Sequence, residues 1–591
     1  MKKTRLFKIV LSIVLTGTLL ALNACSVNAD DTLAKISGKN ADYREIYEFI
    51  KEKCKDREWV VYDGIDAKGV VYDVIESAAL GAAAEESGSD FSTTNLQEIG
   101  VDEGDIIKTD GEYIFILSGN MLKIINTQGE KTELISELEL TDIGNGEMYL
   151  KDNRIIIVGN DYSFASKAEN MGEFSCYAGT VMSIVDISDK TNPEVISTSG
   201  QSGYYNTARM IGEKLYLISN YSMFYCDPDL SKPETFCPVY MRDGEFTVFP
   251  AEDISLYTET DNAGYTVITA CNMDGEILSQ KSRTTYTDNV YCSKDNLYIA
   301  DTEFRYESGS GIYSTVISKY ALNEGNVEFV AENRIDGRLL NQFSMSEKDG
   351  LLRAVTTTQT NGLTSKTDSE GVTWRNETWQ SANLIILSEK LEELSKLENL
   401  SDNEEVKSVR FMGDYVYFVT FRQTDPLFCA DAADPENPKI LGELKLPGFS
   451  AYMHPWDENN MIGLGYDADE ETGRTGDIKI SMFDVSSPEK MKEDDVLLID
   501  KYYSDVFGNH KAFLCYKEKN IIAFPAGTGY YVFSYNEKGG FKQESITEFE
   551  DTWPDFIRGL FIGENLYVIS DETITVLDMA DDFAIISAEL Y

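Results

Sequence analysis

The sequence predicts an all-β fold, a beta-propeller of eight or nine four-stranded blades behind a short helical N-terminal extension. Three observations carry that expectation. A polar turn followed by a run of Tyr, Val, Ile and Leu recurs along the chain, as in TDGEYIFILS, KDNRIIIVG, MGDYVYFVT and IGENLYVIS. The residues that follow these turns (Tyr113, Arg154, Leu215, Leu297, Leu351, Val416, Met461, Ile521 and Leu566) are 41 to 82 positions apart. The shortest spacings match the ~40–45 residues of a four-stranded blade, and the longer ones imply insertions. In the clearest unit all four strands can be read, as VKSVRFM, YVYFVTF, PLFCADA and PKILGELKL, with tight or Pro-containing turns between them. Radial repetition buries both faces of each small sheet and leaves few open edges. The weakest module, near 203–285, leaves the count at eight or nine.

Composition agrees with a large folded chain and excludes several functions. Of 591 residues, 42% are hydrophobic and only 13 are Pro and 43 Gly, so neither disorder nor a collagen-like repeat fits. Lys plus Arg total 52 against 101 Asp plus Glu, a formal charge of −49. Such a field repels phosphate backbones and anionic headgroups, which argues against nucleic-acid binding and adsorption to acidic membranes.

The N-terminus has the order of an export signal. MKKTRLFK is basic, residues 9–22 are apolar apart from small side chains, and Leu22-Asn23-Ala24-Cys25 follows at once. The apolar run is shorter than the roughly 20 residues a bilayer span needs. Residues 1–24 therefore read as a lipoprotein signal peptide cleaved before Cys25. LNAC resembles a bacterial lipobox, which implies a Cys25 carrying diacylglyceryl and palmitate-type chains and a protein held at the extracytoplasmic face of the cell membrane. Residues 25–90 read as a tether with a short helical segment. Asp42 followed by Glu45 approximates a capping box, with Tyr43, Ile46, Tyr47, Ile50 and Cys54 on one helical face. An Ala-rich stretch at 72–86 reads as a second helix. From Phe91 to Tyr591 the chain is propeller.

Eight cysteines follow Cys25, with no zinc-ribbon or redox spacing among them. Cys226 and Cys237 bracket a polar loop, and an oxidising exterior permits a bridge between them. Those inside apolar runs, such as VITAC and LFCA, read as small buried hydrophobes.

Four long strings, GVDEGDIIKTDGEYIFILSGN, SVRFMGDYVYFVTFRQTDPLF, DPENPKILGELKLPGFSAYMHPWDENN and NHKAFLCYKEKNIIAFP, resemble the family of secreted prokaryotic proteins with a C-terminal beta-propeller domain, distantly related to WD-type repeats. The turns in VDISDKTNPEVI, ADAADPENPKIL and FDVSSPEKM are also similar to the LVIVD surface repeat. The resemblance implies fold and location, and brings no catalytic residues.

Insertions are more informative than motifs. The first-to-second strand turns are short, whereas the long excursions, 161–180, 221–262, 302–313, 359–381 and 466–476, all fall between second and third strands and so decorate one face. Loops on a rigid scaffold carry recognition, which makes Tyr221, Phe224, Tyr225, Trp374 and Trp379 the candidate binding rim. Chemistry is sparse by comparison. The two histidines, His454 and His510, are placed in first strands of neighbouring modules, about a strand length of ~17–20 Å apart, which disfavours a shared metal. His454 is expected to order a turn with Asp457 and Glu458. No G-x-S-x-G, H-E-x-x-H or Walker sequence occurs. TDSEGVTW approaches the box of sialidase-like propellers, but Ser369 replaces its Asp and the string occurs once. Asp467, Asp469 and Glu471 alternate as weak calcium candidates, yet Thr472 and Ile478 stand where a calcium loop has Gly and Glu. No other cofactor is indicated. Asp102, Glu103 and Asp105 in GVDEGD suit a structural cap of the first blade or a cation.

Two readings survive. One is a lipid-anchored, non-catalytic binding or scaffold protein whose rim meets a protein, peptide or glycan. The other is an extracytoplasmic hydrolase or lyase using carboxylates and Tyr at the propeller channel. The anchor is directly testable. Cys25→Ser is expected to abolish lipid labelling and release the protein from membranes; an unlabelled variant that still fractionates as an integral protein would mean that the apolar segment spans instead.

Overall fold

A computed structural model describes residues 42–55 and 90–590, less the stretches 129–131, 169–177, 224–226, 261–262, 308–309, 369–370, 402, 422–424, 470–473 and 550–553. The signal peptide, Cys25 and the second expected helix lie outside the described residues. Among the described residues no helix is long and apolar enough to cross a membrane.

The described chain forms nine blades in sequence order, spanning 107–139, 144–202, 204–283, 289–336, 345–397, 405–446, 449–499, 514–548 and 557–590. The weak module at 203–285 is blade 3, with strands Tyr204–Ile211, Lys214–Ser222, Gly264–Asn272 and Ile277–Arg283. Every first strand is innermost, and the fourth lies at the outer edge except in blades 2 and 3, where short extra strands pair outside it. First-to-second turns commonly take a left-handed residue, at Gly111, Asp152, Gly212, Asp349, Gly413, Asn520 and Gly563. This is the conformation that Gly, Asn and Asp adopt at least cost, and it is why the turns read as DG, DN and GE.

Burial explains why the second and third strands carry continuous apolar runs. Arg154–Asp161 (RIIIVGND) and Gly179–Asp186 (GTVMSIVD) are buried on both faces, because a neighbouring blade covers each side. Fourth strands have a wet side and alternate, as in Lys492–Ile499 (KEDDVLLI). Nine apolar clusters fill the nine junctions between successive blades. The last of them packs Ile114, Ile116 and Ile125 of blade 1 against Leu560, Tyr567 and Ile569 of blade 9 and closes the ring. Each fully buried Ile or Leu in these seams contributes ~1.5–3 kcal/mol.

Two insertions differ from the expected loops. The excursions at 302–313 and 359–381 are continuations of the blade strands themselves, as hairpins Asn296–Glu307 with Ser310–Asn323 and Leu351–Asp368 with Gly371–Leu387. They stand side by side and pair at Gly311 with Asn361 and Ile312 with Thr360, fusing blades 4 and 5 into one sheet. The 221–262 insertion carries its own hairpin, Val239–Arg242 with Glu245–Val248, which lengthens the outer edge of blade 2. Helix Tyr43–Lys55 (α1) lies on that insertion, with Tyr43 Oη donating to the Phe249 carbonyl at 3.0 Å and Tyr47 edge-on to Phe236. Its Asp42 side chain accepts from the Glu45 backbone, so the expected cap forms.

Residues 90–106 enter the ring and run around its inner wall, meeting blades in descending order. Ser92 N donates to Phe561 O of blade 9, Thr93 N to Tyr516 Oη of blade 8, and Asn95 Nδ2 to Tyr452 Oη of blade 7. Gln97 reaches Gln342 and Met345 at the entrance to blade 5, and Glu98 accepts from Tyr291 of blade 4. Asp102 bridges to Met210 of blade 3 and Asp105 to Met148 of blade 2. Gly104 is needed here, since a Cβ would lie 2.8 Å from the Glu147 side chain. A chain starting at Ile107 removes the Glu103 carboxylate from beside buried Arg209, so it is expected to lose roughly 3–5 kcal/mol or more relative to a chain starting at Asp90. Chemical denaturation of the two chains measures the difference.

Candidate functional site

Two places gather functional side chains, the ring interior and the insertion-bearing face. In the interior the hub is Glu103. Its carboxylate accepts from Gln97 N at 3.0 Å and lies 3.2 Å from His510 Nε2 and 3.8 Å from Arg209 Nη2. Arg209 belongs to blade 3 and His510 to the approach to blade 8, so one carboxylate ties nearly opposite walls of the ring. Burial alone would raise the Glu103 carboxyl, but Arg209 and His510 beside it hold it well below the usual carboxylate range. Lys511 pairs with Glu147 of blade 2, which also accepts from Tyr205 Oη at 2.9 Å. Lys108 donates to Asp102 at 2.8 Å and to the Glu103 carbonyl at 2.7 Å.

Two carboxyls in this region are pushed up. Burial raises Asp105, with Arg558, Lys511 and Lys108 opposing, and burial raises Glu98, with the Tyr291 hydroxyl and Arg410 opposing. The triplet Asp102, Glu103 and Asp105 thus joins the inner segment to blades 3, 8 and 2 and serves as more than a cap of the first blade. A cavity of about 710 Å³ lies between this segment and the wall, and it reaches the turn face at Asp110, Asp152 and Gly212.

The histidines differ from their expected roles. His454, on strand Phe449–Pro455, lines the cavity, and its Nδ1 meets Tyr452 Oη at 2.8 Å. Asp457 does not use it and instead pairs with Lys517 and holds Asn459 N. The first-strand position points inward, which sequence spacing alone did not distinguish from the adjoining turn. His510 sits not in a strand but in a one-turn 3-10 segment, His510–Ala512, capped by Asn509.

On the insertion face the expected rim is partly reassigned. Tyr221 is buried and stacked on Tyr265, because strand Lys214–Ser222 continues through it into the core beneath α1. Phe224, Tyr225 and the Trp374 side chain lie outside the described residues. Trp379 is 44% exposed on the blade 5 hairpin. Its neighbours were missed: Phe304 and Tyr306 on the blade 4 hairpin, the latter 76% exposed, with Tyr162, Tyr204 and Tyr286 beyond blade ends and Tyr502 and Tyr503 ahead of blade 8. Among the described residues, Tyr415 is the one exposed aromatic on the opposite, turn face. A strand-end aromatic just outside each turn-to-turn unit was the available signal. Beside Tyr286, burial raises the Asp301 carboxyl to about 7.

Cys237 is a free, buried thiol under α1, so the expected bridge to Cys226 is not made; Cys226 lies outside the described residues. Cys54 on α1 is disulfide-bonded, and its partner also lies outside them. Among the described residues no group of three or more His, Cys, Asp or Glu could hold a metal ion. Asp467 and Asp469 are described but Glu471 is not.

His454 generates a pH expectation. Burial, then repulsion from Arg410, depresses its folded pKa well below 6.5. As pH falls through ~6.5 the unfolded chain takes up a proton that the folded chain refuses, so stability falls by up to about 1.4 kcal/mol per pH unit. His454→Gln is expected to flatten that slope between pH 6.5 and 5, read by urea denaturation across pH.

A family model described as a beta propeller domain matches residues 91–581. Uncharacterized proteins of Archaeoglobus fulgidus and Methanocaldococcus jannaschii are each 27% identical, over 571 and 564 residues, covering 83% of this chain and 83% and 82% of theirs. Among solved structures, Citrobacter koseri AztD aligns over 83% of this chain and 93% of its own at 10% identity with a TM-score of 0.36. Saccharomyces cerevisiae Sqt1 aligns over 71% and 90%, also at 10%, with a TM-score of 0.34, and neither likeness bears on function. With nine closed blades, and a family match over most of its length, the chain belongs to the beta propeller domain family.

Proposed function

We propose that this is a lipid-anchored, extracytoplasmic binding or scaffold protein that engages a protein, peptide or glycan through its insertion-bearing face. The observation that carries the reading is the one-sided distribution of exposed aromatics among the described residues, with Phe304, Tyr306 and Trp379 on two paired hairpins and only Tyr415 on the turn face. Large amphipathic rings on rigid strands lose little entropy on binding, which is why such residues anchor interfaces. The hairpins are firm supports, since their pairing locks each to the other. The formal charge of −49 selects neutral or basic partners over nucleic acid. Cys25 and Asp42 are seventeen positions apart, at most about 60 Å of chain, so a lipid on Cys25 would hold the α1 side of this face near the membrane.

A second reading, a carboxylate-dependent hydrolase or lyase in the ring, is favoured by Asp105 and Glu98, two carboxyls of the ring interior that burial raises. The two readings separate by mutation. Phe304→Ser with Tyr306→Ser and Trp379→Ser is expected to weaken capture of an envelope component by roughly tenfold or more while leaving the melting temperature nearly unchanged. Quantitative capture on immobilised protein measures it. Undiminished capture by the triple variant, with loss on Asp105→Asn, would transfer the function to the ring interior.

A further inference from the structure

We propose that the cavity between residues 91–110 and the wall of blades 8, 9, 1 and 2 binds a small carboxylic acid with an apolar body, held by Arg558. The cavity, at about 710 Å³, has the size of sites that enclose small molecules. Its walls are mixed, with Phe91, Ile107, Phe513, Leu514 and Leu560 supplying apolar surface among Ser, Thr, Asp and Lys side chains.

The charges in the wall are unequal in how fully they are used. Lys108 is occupied by Asp102 and the Glu103 carbonyl, and Lys511 by Glu147. Arg558 is only 7% exposed, yet its Nε has no hydrogen-bond partner among the described residues. Its Nη1 reaches the Ile557 carbonyl at 2.9 Å and Asp505 at a long 3.4 Å. A buried guanidinium with spare donors is costly unless something accepts from it. Its planar fork matches the two oxygens of a carboxylate.

The acids in the same wall decide the ligand's charge. Asp105 is buried and accepts from Ile106 N, and Asp102 lies nearby. Asp110 and Asp152 line the cavity as well, so a dianion would face several carboxylates, whereas a monocarboxylate meets Arg558, the buried cation with spare donors. Burial raises the Asp105 carboxyl, and Arg558 is first among the charges that oppose the rise. The rest of the ligand is then set by Phe91, Ile107 and Leu560, which favour an alkyl or aromatic body.

Octanoate and benzoate are the probes, titrated calorimetrically into the mature chain, with inorganic phosphate as the contrast. Octanoate is expected to bind, Arg558→Lys to weaken it by roughly tenfold through loss of the fork, and Asp105→Asn to retain or tighten it. That opposite pair of signs is one a merely structural role would not produce. A diazirine-bearing alkyl carboxylate on the unmodified protein should label residues within 91–110 or 556–561, a readout that holds even if Arg558→Lys does not fold. Absence of binding by the folded wild-type chain at about 10 mM probe, a level at which even very weak sites fill, would overturn the proposal. So would unchanged affinity in folded Arg558→Lys, displacement of octanoate by phosphate, or labelling elsewhere.

Discussion

The contact between Glu103 and the opposed side chains Arg209 and His510 is the constraint on which the ring depends. Nine blades enclose a wider interior than their first strands can fill by themselves, and a first strand presents its inner face to whatever is there. Here that face carries Arg209, Arg410 and Arg558, all buried, with Lys511 beside it just ahead of blade 8. Left without partners, such groups would oppose closure by several kcal/mol each. Residues 90–106 bring in the carboxylates that neutralise them and the backbone groups that pair with blades 2 and 3. The acids of GVDEGD are thus part of the wall's charge balance, and burial draws the Arg410 pKa down to about 10.

Legibility followed locality. Each blade announces itself within about ten residues, by a left-handed turn and then an apolar run such as YVYFVTF, so strand order and a count of eight or nine could be read without any tertiary information. The path of 90–106 could not, because it has no periodicity and its partners lie up to 469 residues away, as for Ser92 and Phe561. Tyr221 was misplaced for a related reason. A strand that runs two residues longer than its apolar core turns a presumed loop aromatic into a stacked core ring. His454 and Asp457 are three residues apart, and only the pleat separates a side chain facing inward from one on the adjoining turn. The paired hairpins of blades 4 and 5 were read as loops because strands with polar residues on both sides, such as TTTQTNG, lack the hydrophobic signature of a buried sheet. Their stability comes from pairing with each other.

The division of labour between the two faces also has a physical basis. Turns of two or three residues fix hairpin register and leave little surface to vary. Second-to-third connections face no such limit, and the additional strands they grow, at Val239–Val248 and on the two tall hairpins, are anchored by main-chain bonds. Aromatic rings can stand exposed there on a scaffold that does not yield. The inner cavity belongs to the other side, so the two candidate surfaces can vary separately.

Closure by blade 9 has a temporal meaning. All four strands of that blade come from the C-terminal end, and no strand is shared across the junction with blade 1. The blades can therefore form one after another, each from contiguous chain, as local contacts permit. The inner segment cannot be completed that way. It precedes blade 1 in sequence yet needs blades 2, 3, 4, 5, 7, 8 and 9 to satisfy it, so the part of the propeller that leaves the synthesis machinery first is the part whose burial is finished last.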